Sequence, residues 1–246
     1  MRARWSHGAL LGSCLGLALS ACAAHPTPWH GATPATWPAL RSALAQERQS
    51  RAAQPWSAGV RVTMRESGSG RSIYGRGGLA IAPGTALRMI LIGVAGATIL
   101  DTWATTARWR VAVPPLGLVR RGGADDPEDL PIGFLRWWFF TPLAGELFAA
   151  TFDAGAPVWL LRDKGAVVAL RTSVCERGPR LQAIRREQGR GESVDECRAE
   201  TRPSVGDHVR YSDAMSGLAV DIVVESVSAD APPAEAFADP DADHAR

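Results

Sequence analysis

The residues able to do chemistry are few and widely spaced. Cysteines stand at 14, 22, 175 and 197, and histidines at 7, 25, 30, 208 and 244. No histidine sits in a recognisable set with a nucleophile and an orienting carboxylate, so no catalytic triad is visible. His208 follows Asp207 at the start of a strand-like stretch and reads as a surface residue. The acidic run Asp125, Asp126, Glu128 and Asp129 fits no calcium loop, and no His/Cys spacing fits zinc. The glycine-rich run at 68–78 lacks a Walker lysine and lies between strands, which makes it a hairpin rather than a phosphate cradle. The expectation is a binding protein, not an enzyme, without metal or cofactor.

Cys22 has a context of its own. Arg2 and Arg4 precede an apolar run from Ala9 to Ala21, too short to span a bilayer, which needs about 20 residues, but suited to a secretory signal. Leu19-Ser20-Ala21-Cys22 resembles the bacterial lipobox, whose cysteine is lipidated on sulfur and acylated again after cleavage. The alternative is cleavage after Ala21 with Cys22 a bystander. Each buried methylene contributes about 0.8 kcal/mol, and two or more chains anchor stably without a protein helix. Ala23 stands where an aspartate commonly marks retention in the inner membrane, which implies an outer-membrane, periplasm-facing protein.

Without residues 1–21 the 27 basic residues fall by Arg2 and Arg4 to 25, against 25 acidic. A neutral chain has no electrostatic reason to bind nucleic acid. In an oxidising compartment Cys175 and Cys197 are expected to form one disulfide, with two free thiols the alternative. Closing a loop of that size stabilises by roughly 3 kcal/mol in the chain-entropy model.

The elements around these residues follow from periodicity. Residues 22–35 are rich in Pro, Ala and Gly and read as a tether. Leu40 and Leu44 on one face predict a helix at about 37–51, with Pro38 in its first turn. Period-two alternation then marks strands at Val60–Met64, Leu79–Ile81, Leu87–Leu91, Ile99–Trp103 and Trp109–Val113, joined by short turns and so antiparallel. Residues 115–129 read as a loop. The very apolar stretch 131–149 reads as a buried helix kinked at Pro142. Strands resume at 157–161, 166–170, 181–186, 194–199, 209–211 and 218–224. Residues 231–246, Ala/Pro/Asp-rich, read as a disordered tail.

About ten or eleven strands with two apolar helices predict an α+β domain over 36–230. Its sheet would be antiparallel, strongly curved and an incomplete barrel, with the helices plugging its concave side. Such an interior is either a packed core or an apolar cavity, and both demand the same inward residues: Met64, Leu87, Met89, Leu91, Trp109, Val111, Phe134, Trp138 and Phe139.

The element order and several segments resemble the LolA/LolB lipoprotein-sorting family of the outer membrane. Ala86–Leu91 with the turn Gly93–Thr98 is similar to that family's strand and Asn-Pro-Leu-Gly-Ser-Thr-like turn. Leu135-Arg136-Trp137-Trp138 is similar to its Leu-Arg-Gln-Trp helix, and Arg180–Ile184, Pro203–Tyr211 and Leu218–Val224 to its closing strands. The resemblance implies a lipid-anchored receptor or chaperone for acyl chains of lipids or lipoproteins, acting in protein or lipid transport and served by a periplasmic carrier protein. It implies a cargo-contact turn at Val94 and Ala95, where Ala95 replaces the family's protruding leucine. The cysteine pair has no counterpart there. The competing reading is a scaffold lipoprotein with a solid core.

Overall fold

The computed structural model describes residues 31–51, 53–124, 126, 132–140 and 143–241. The signal and lipidation readings at 1–22, most of the tether, the last residues of the tail and much of the acidic run lie outside these. Among the described residues no helix is long and apolar enough to cross a membrane.

Helix α1, Trp37–Gln49, forms where expected, with Leu40 and Leu44 buried and Pro38 in its first turn. It lies against two strands of the later half of the chain, where the Trp159 indole N–H donates to the Leu40 carbonyl at 2.9 Å.

Among the described residues thirteen strands form one antiparallel sheet, curved and unclosed, two or three more than the periodicity indicated. In chain order they are β1 Trp56–Glu66, β2 Ser72–Ala82, β3 Ala86–Ile92, β4 Thr98–Thr105, β5 Arg108–Val113, β6 Leu118–Gly123, β7 Glu146–Asp153, β8 Ala156–Asp163, β9 Ala166–Cys175, β10 Gly178–Glu187, β11 Arg190–Cys197, β12 His208–Asp213 and β13 Leu218–Val227. The topology is two meanders, β1–β6 and β7–β13, fused where β1 pairs with β13. Three hairpins of the second meander turn on two residues, Ala154-Gly155, Lys164-Gly165 and Gln188-Gly189, all with positive φ. This is the type I′ geometry that matches strand twist.

Three expectations are corrected. Residues 118–123, read as loop, are the edge strand β6. Its side chains are exposed or half-buried, so no apolar alternation announces it. The expected helix at 131–149 is a single α turn, α2 (Ile132–Leu135), continuing into a π-helical turn at Arg136–Phe140. Residues from Glu146 onward are instead edge strand β7. An apolar run of this kind serves helix and strand equally, and pairing with β8 decides it. Residues 231–241, read as disordered tail, lie across the outer face of β4–β6. Trp103 Nε1 donates to the Phe237 carbonyl at 2.8 Å, Asp239 pairs with Arg108 at 3.2 Å, and Asp241 pairs with Arg110 at 3.2 Å and Arg121 at 2.6 Å.

Residues 132–140, between β6 and β7, pack on the concave side. Phe134 stacks on Tyr211 of β12 with centroids 4.5 Å apart, and Phe139 meets Trp56 of β1 edge-on at 6.2 Å. The short plug thus touches both meanders, and the core is continuous from β5 to β13.

Candidate functional site

All nine inward residues named from the sequence reach the concave side, but they do not form one cavity. Met64, Leu87, Met89, Leu91, Trp109, Val111 and Phe134 are buried in packed core. Trp109 covers the backbone of Gly122 on β6, where an added Cβ would lie 2.4 Å from the indole. Only Trp138 and Phe139 of the nine line the open space, a cleft of about 420 Å³ at one end of the half-barrel.

The cleft is bounded by the C-terminal end of α1, the π turn, Leu143, the segment 198–207 after β11, and the ends of β12 and β13. Its floor is apolar, with Trp56, Leu79, Trp138, Phe139, Phe140, Val209, Ile222 and Val224. π turns insert an extra residue into a helix and recur at binding sites. Here the turn sets both Trp138 and Phe139 along the same wall.

The rim is basic. Arg48 Nε donates to the Leu143 carbonyl at 3.1 Å and its terminal nitrogen to the Gly145 carbonyl at 2.9 Å, bridging α1 to the segment before β7. Arg51 pairs with Glu196 at 2.5 Å and lies 4.9 Å over the Trp138 ring. Arg198 pairs with Glu47 at 2.6 Å and reaches Ser50 Oγ at 2.8 Å. Asp207 folds the 198–207 segment by accepting from the backbone N–H groups of Ala199 and Ser204 at 2.9 and 2.8 Å and from Arg177 at 3.3 Å. The disulfide Cys175–Cys197 ties the start of that segment to the β9–β10 turn, as the cysteine count led one to expect. His208 belongs to the wall of the cleft rather than to open surface.

The other end of the half-barrel is closed by an ionic cluster. Glu192, 8% exposed, accepts from Tyr211 Oη at 2.8 Å and pairs with Arg185 at 3.2 Å. Asp213, 2% exposed, accepts from the Met215 N–H at 2.9 Å, Ser216 Oγ at 2.8 Å and Arg190 at 3.1 Å. Burial pushes the Tyr211 hydroxyl well above the usual phenol range, and the Glu192 carboxylate adds to the shift. Burial also raises Asp213, but the Met215 N–H, the Ser216 hydroxyl and Arg190 outweigh it and hold the carboxyl below its ordinary value. A second hollow, about 640 Å³, lies on the outer face of β7–β12. Two of the arginines along it are engaged by carboxylates, Arg171 by Asp153 at 2.9 Å and Arg210 by Asp221 at 3.8 Å.

The turn between β3 and β4 closes through Gly93 N–H to the Ala97 carbonyl at 2.9 Å, and leaves Val94 97% exposed at its tip with Ala95 exposed beside it. Sequence reasoning missed the rim arginines, which come from separate segments. The one local sign was their position next to predicted element ends.

No protein-family model matches the sequence, and no curated protein matches it. Solved structures do. A LolA superfamily protein from Nitrosomonas europaea superposes with a TM-score of 0.53 at 12% identity, covering 81% of this chain and 97% of that one. A domain named as an outer-membrane lipoprotein-sorting protein, from Vibrio parahaemolyticus, matches with a TM-score of 0.49 at 12% identity over 80% and 95%. At such identity the likeness concerns architecture alone, and the thirteen-strand unclosed sheet with its internal plug agrees with it. The chain has a diverged LolA/LolB-like fold.

Proposed function

We propose that this protein binds an acyl chain of a lipid or lipoprotein in the cleft beside Trp138 and Phe139, and does so as a lipid-anchored protein of the outer membrane. The observation that carries the reading is the cleft itself: about 420 Å³, apolar in its floor, within the ~300–1,000 Å³ range of ligand sites. An acyl chain entering it leaves water, and each buried methylene contributes about 0.8 kcal/mol. No covalent step is needed, so the reading is of a carrier or receptor rather than an enzyme. The lipobox-like Cys22 would hold the domain at the membrane, and a periplasmic carrier would deliver the cargo. The likeness in fold to the LolA superfamily protein is consistent with a role in lipoprotein or lipid localisation.

The packed core around Leu87, Met89, Leu91 and Val111 favours the scaffold alternative everywhere except at this cleft. The test is native mass spectrometry of the full-length protein released from membranes. Stoichiometric lipid or acylated cargo, lost in Phe139→Asp while circular dichroism stays unchanged, is the expected result. Lipid-free protein overturns the reading and leaves the scaffold.

A further inference from the structure

We infer that the ligand of this cleft is an acyl chain bearing an oxyanion head, held at the rim by Arg202 and Arg48. The inference rests on the acyl-chain reading above and names the chemical class it would take.

The cleft is open on one side, and its apolar floor suits the chain of an amphiphile.

Charge sets the head. Two rim guanidiniums, those of Arg51 and Arg198, are matched by Glu196 and Glu47. Asp207 is matched by Arg177. Among the described residues Arg48 meets only the backbone carbonyls of Leu143 and Gly145, and no carboxylate among them neutralises its charge. Arg202 is exposed on the cleft wall and has no partner among the described residues. Against these two stands one unmatched acid of the wall, Glu200. The rim therefore carries a net positive charge above an apolar floor. A neutral or cationic amphiphile gains nothing from that arrangement, whereas a carboxylate or phosphate accepts charge-assisted, forked hydrogen bonds.

Carboxylate and phosphate heads share this chemistry, so a free fatty acid and a lysophospholipid are its two sources.

The test uses full-length protein in nanodiscs and two diazirine-tagged probes of equal length, palmitic acid and hexadecanol, with cleft labelling mapped by peptide mass spectrometry. The acid is expected to label the cleft about tenfold more than the alcohol, as one charge-assisted hydrogen bond implies. Arg202→Ser should bring the ratio down severalfold without changing alcohol labelling, and Arg202→Lys should retain most of it. Competition by unlabelled palmitate or by lysophosphatidic acid tells which source binds better, and competition by neither contradicts the inference. Equal labelling by acid and alcohol overturns the head-group assignment and leaves the acyl-chain reading standing. An acid preference that Arg202→Ser does not reduce overturns the role given to Arg202. Labelling by neither probe removes the acyl-chain reading itself.

Discussion

The two ends of the half-barrel are made of similar materials and do opposite things. At the end formed by Arg185, Arg190, Glu192, Tyr211 and Asp213, each buried carboxylate has a guanidinium and a hydroxyl donor, and the interior is shut. At the other end Arg48, Arg51, Arg198 and Arg202 line an apolar cleft, and two of the four have no carboxylate among the described residues. The difference is one of balance, not of residue type. Matched charges over a filled core make a seal, and surplus charge over an unfilled floor makes an open, basic-rimmed cleft.

The largest way to break this comparison is at the seal. Glu192→Ala takes the acceptor from the buried Tyr211 hydroxyl and one carboxylate from each of Arg185 and Arg190, which keep Glu187 and Asp213, and should cost about 3 kcal/mol in urea unfolding. A loss below about 1 kcal/mol would mean the cluster is solvated and the end is not sealed.

Next is the disulfide, which secures the open end by fixing the segment after Cys197. Replacing both Cys175 and Cys197 with Ser should lower stability by about 3 kcal/mol. Binding in the cleft should weaken too, measured on protein still folded by circular dichroism.

A pH series sharpens the contrast further. Asp213 is depressed in the folded state, so its stabilisation is fully present above its unfolded value, about 3.9, and is lost as pH falls through the lower folded value. Asp195, held low chiefly by its hydrogen bond from Arg180, behaves the same way. Thermal melts should therefore be flat with respect to these groups above about pH 5 and fall steeply below about pH 4. Asp213→Asn should make that acid slope shallower.

The smallest effect is expected at the rim. Arg202→Ser touches no partner and should change stability by no more than about 0.5 kcal/mol while changing ligand preference. A large destabilisation would place Arg202 in the fold rather than the site.

How much of this was legible in the sequence differs between regions for physical reasons. Helix α1 and the inward sides of β1–β5 could be read because Leu40/Leu44 and Leu87/Met89/Leu91 repeat with periods that burial enforces. Strand β6 could not, since an edge strand with outward side chains carries no such pattern. The segment 231–241 is held by Asp239 and Asp241 on Arg108, Arg110 and Arg121, and hydrophobic patterning is blind to ionic docking. Inward alternation says that a residue is buried, but which inward residues meet space and which meet neighbours depends on how the plug crosses the sheet. The plug sets Phe134 on Tyr211 in packed core and leaves Trp138 and Phe139 along the cleft.

The most direct test of the account is paired photo-crosslinking in the native membrane, with benzoylphenylalanine replacing Phe139 at the open end or Leu218 near the sealed end of the full-length chain. The account predicts lipid or acylated adducts from position 139 and none from 218. Adducts of equal yield from both positions, or none from 139, would contradict it.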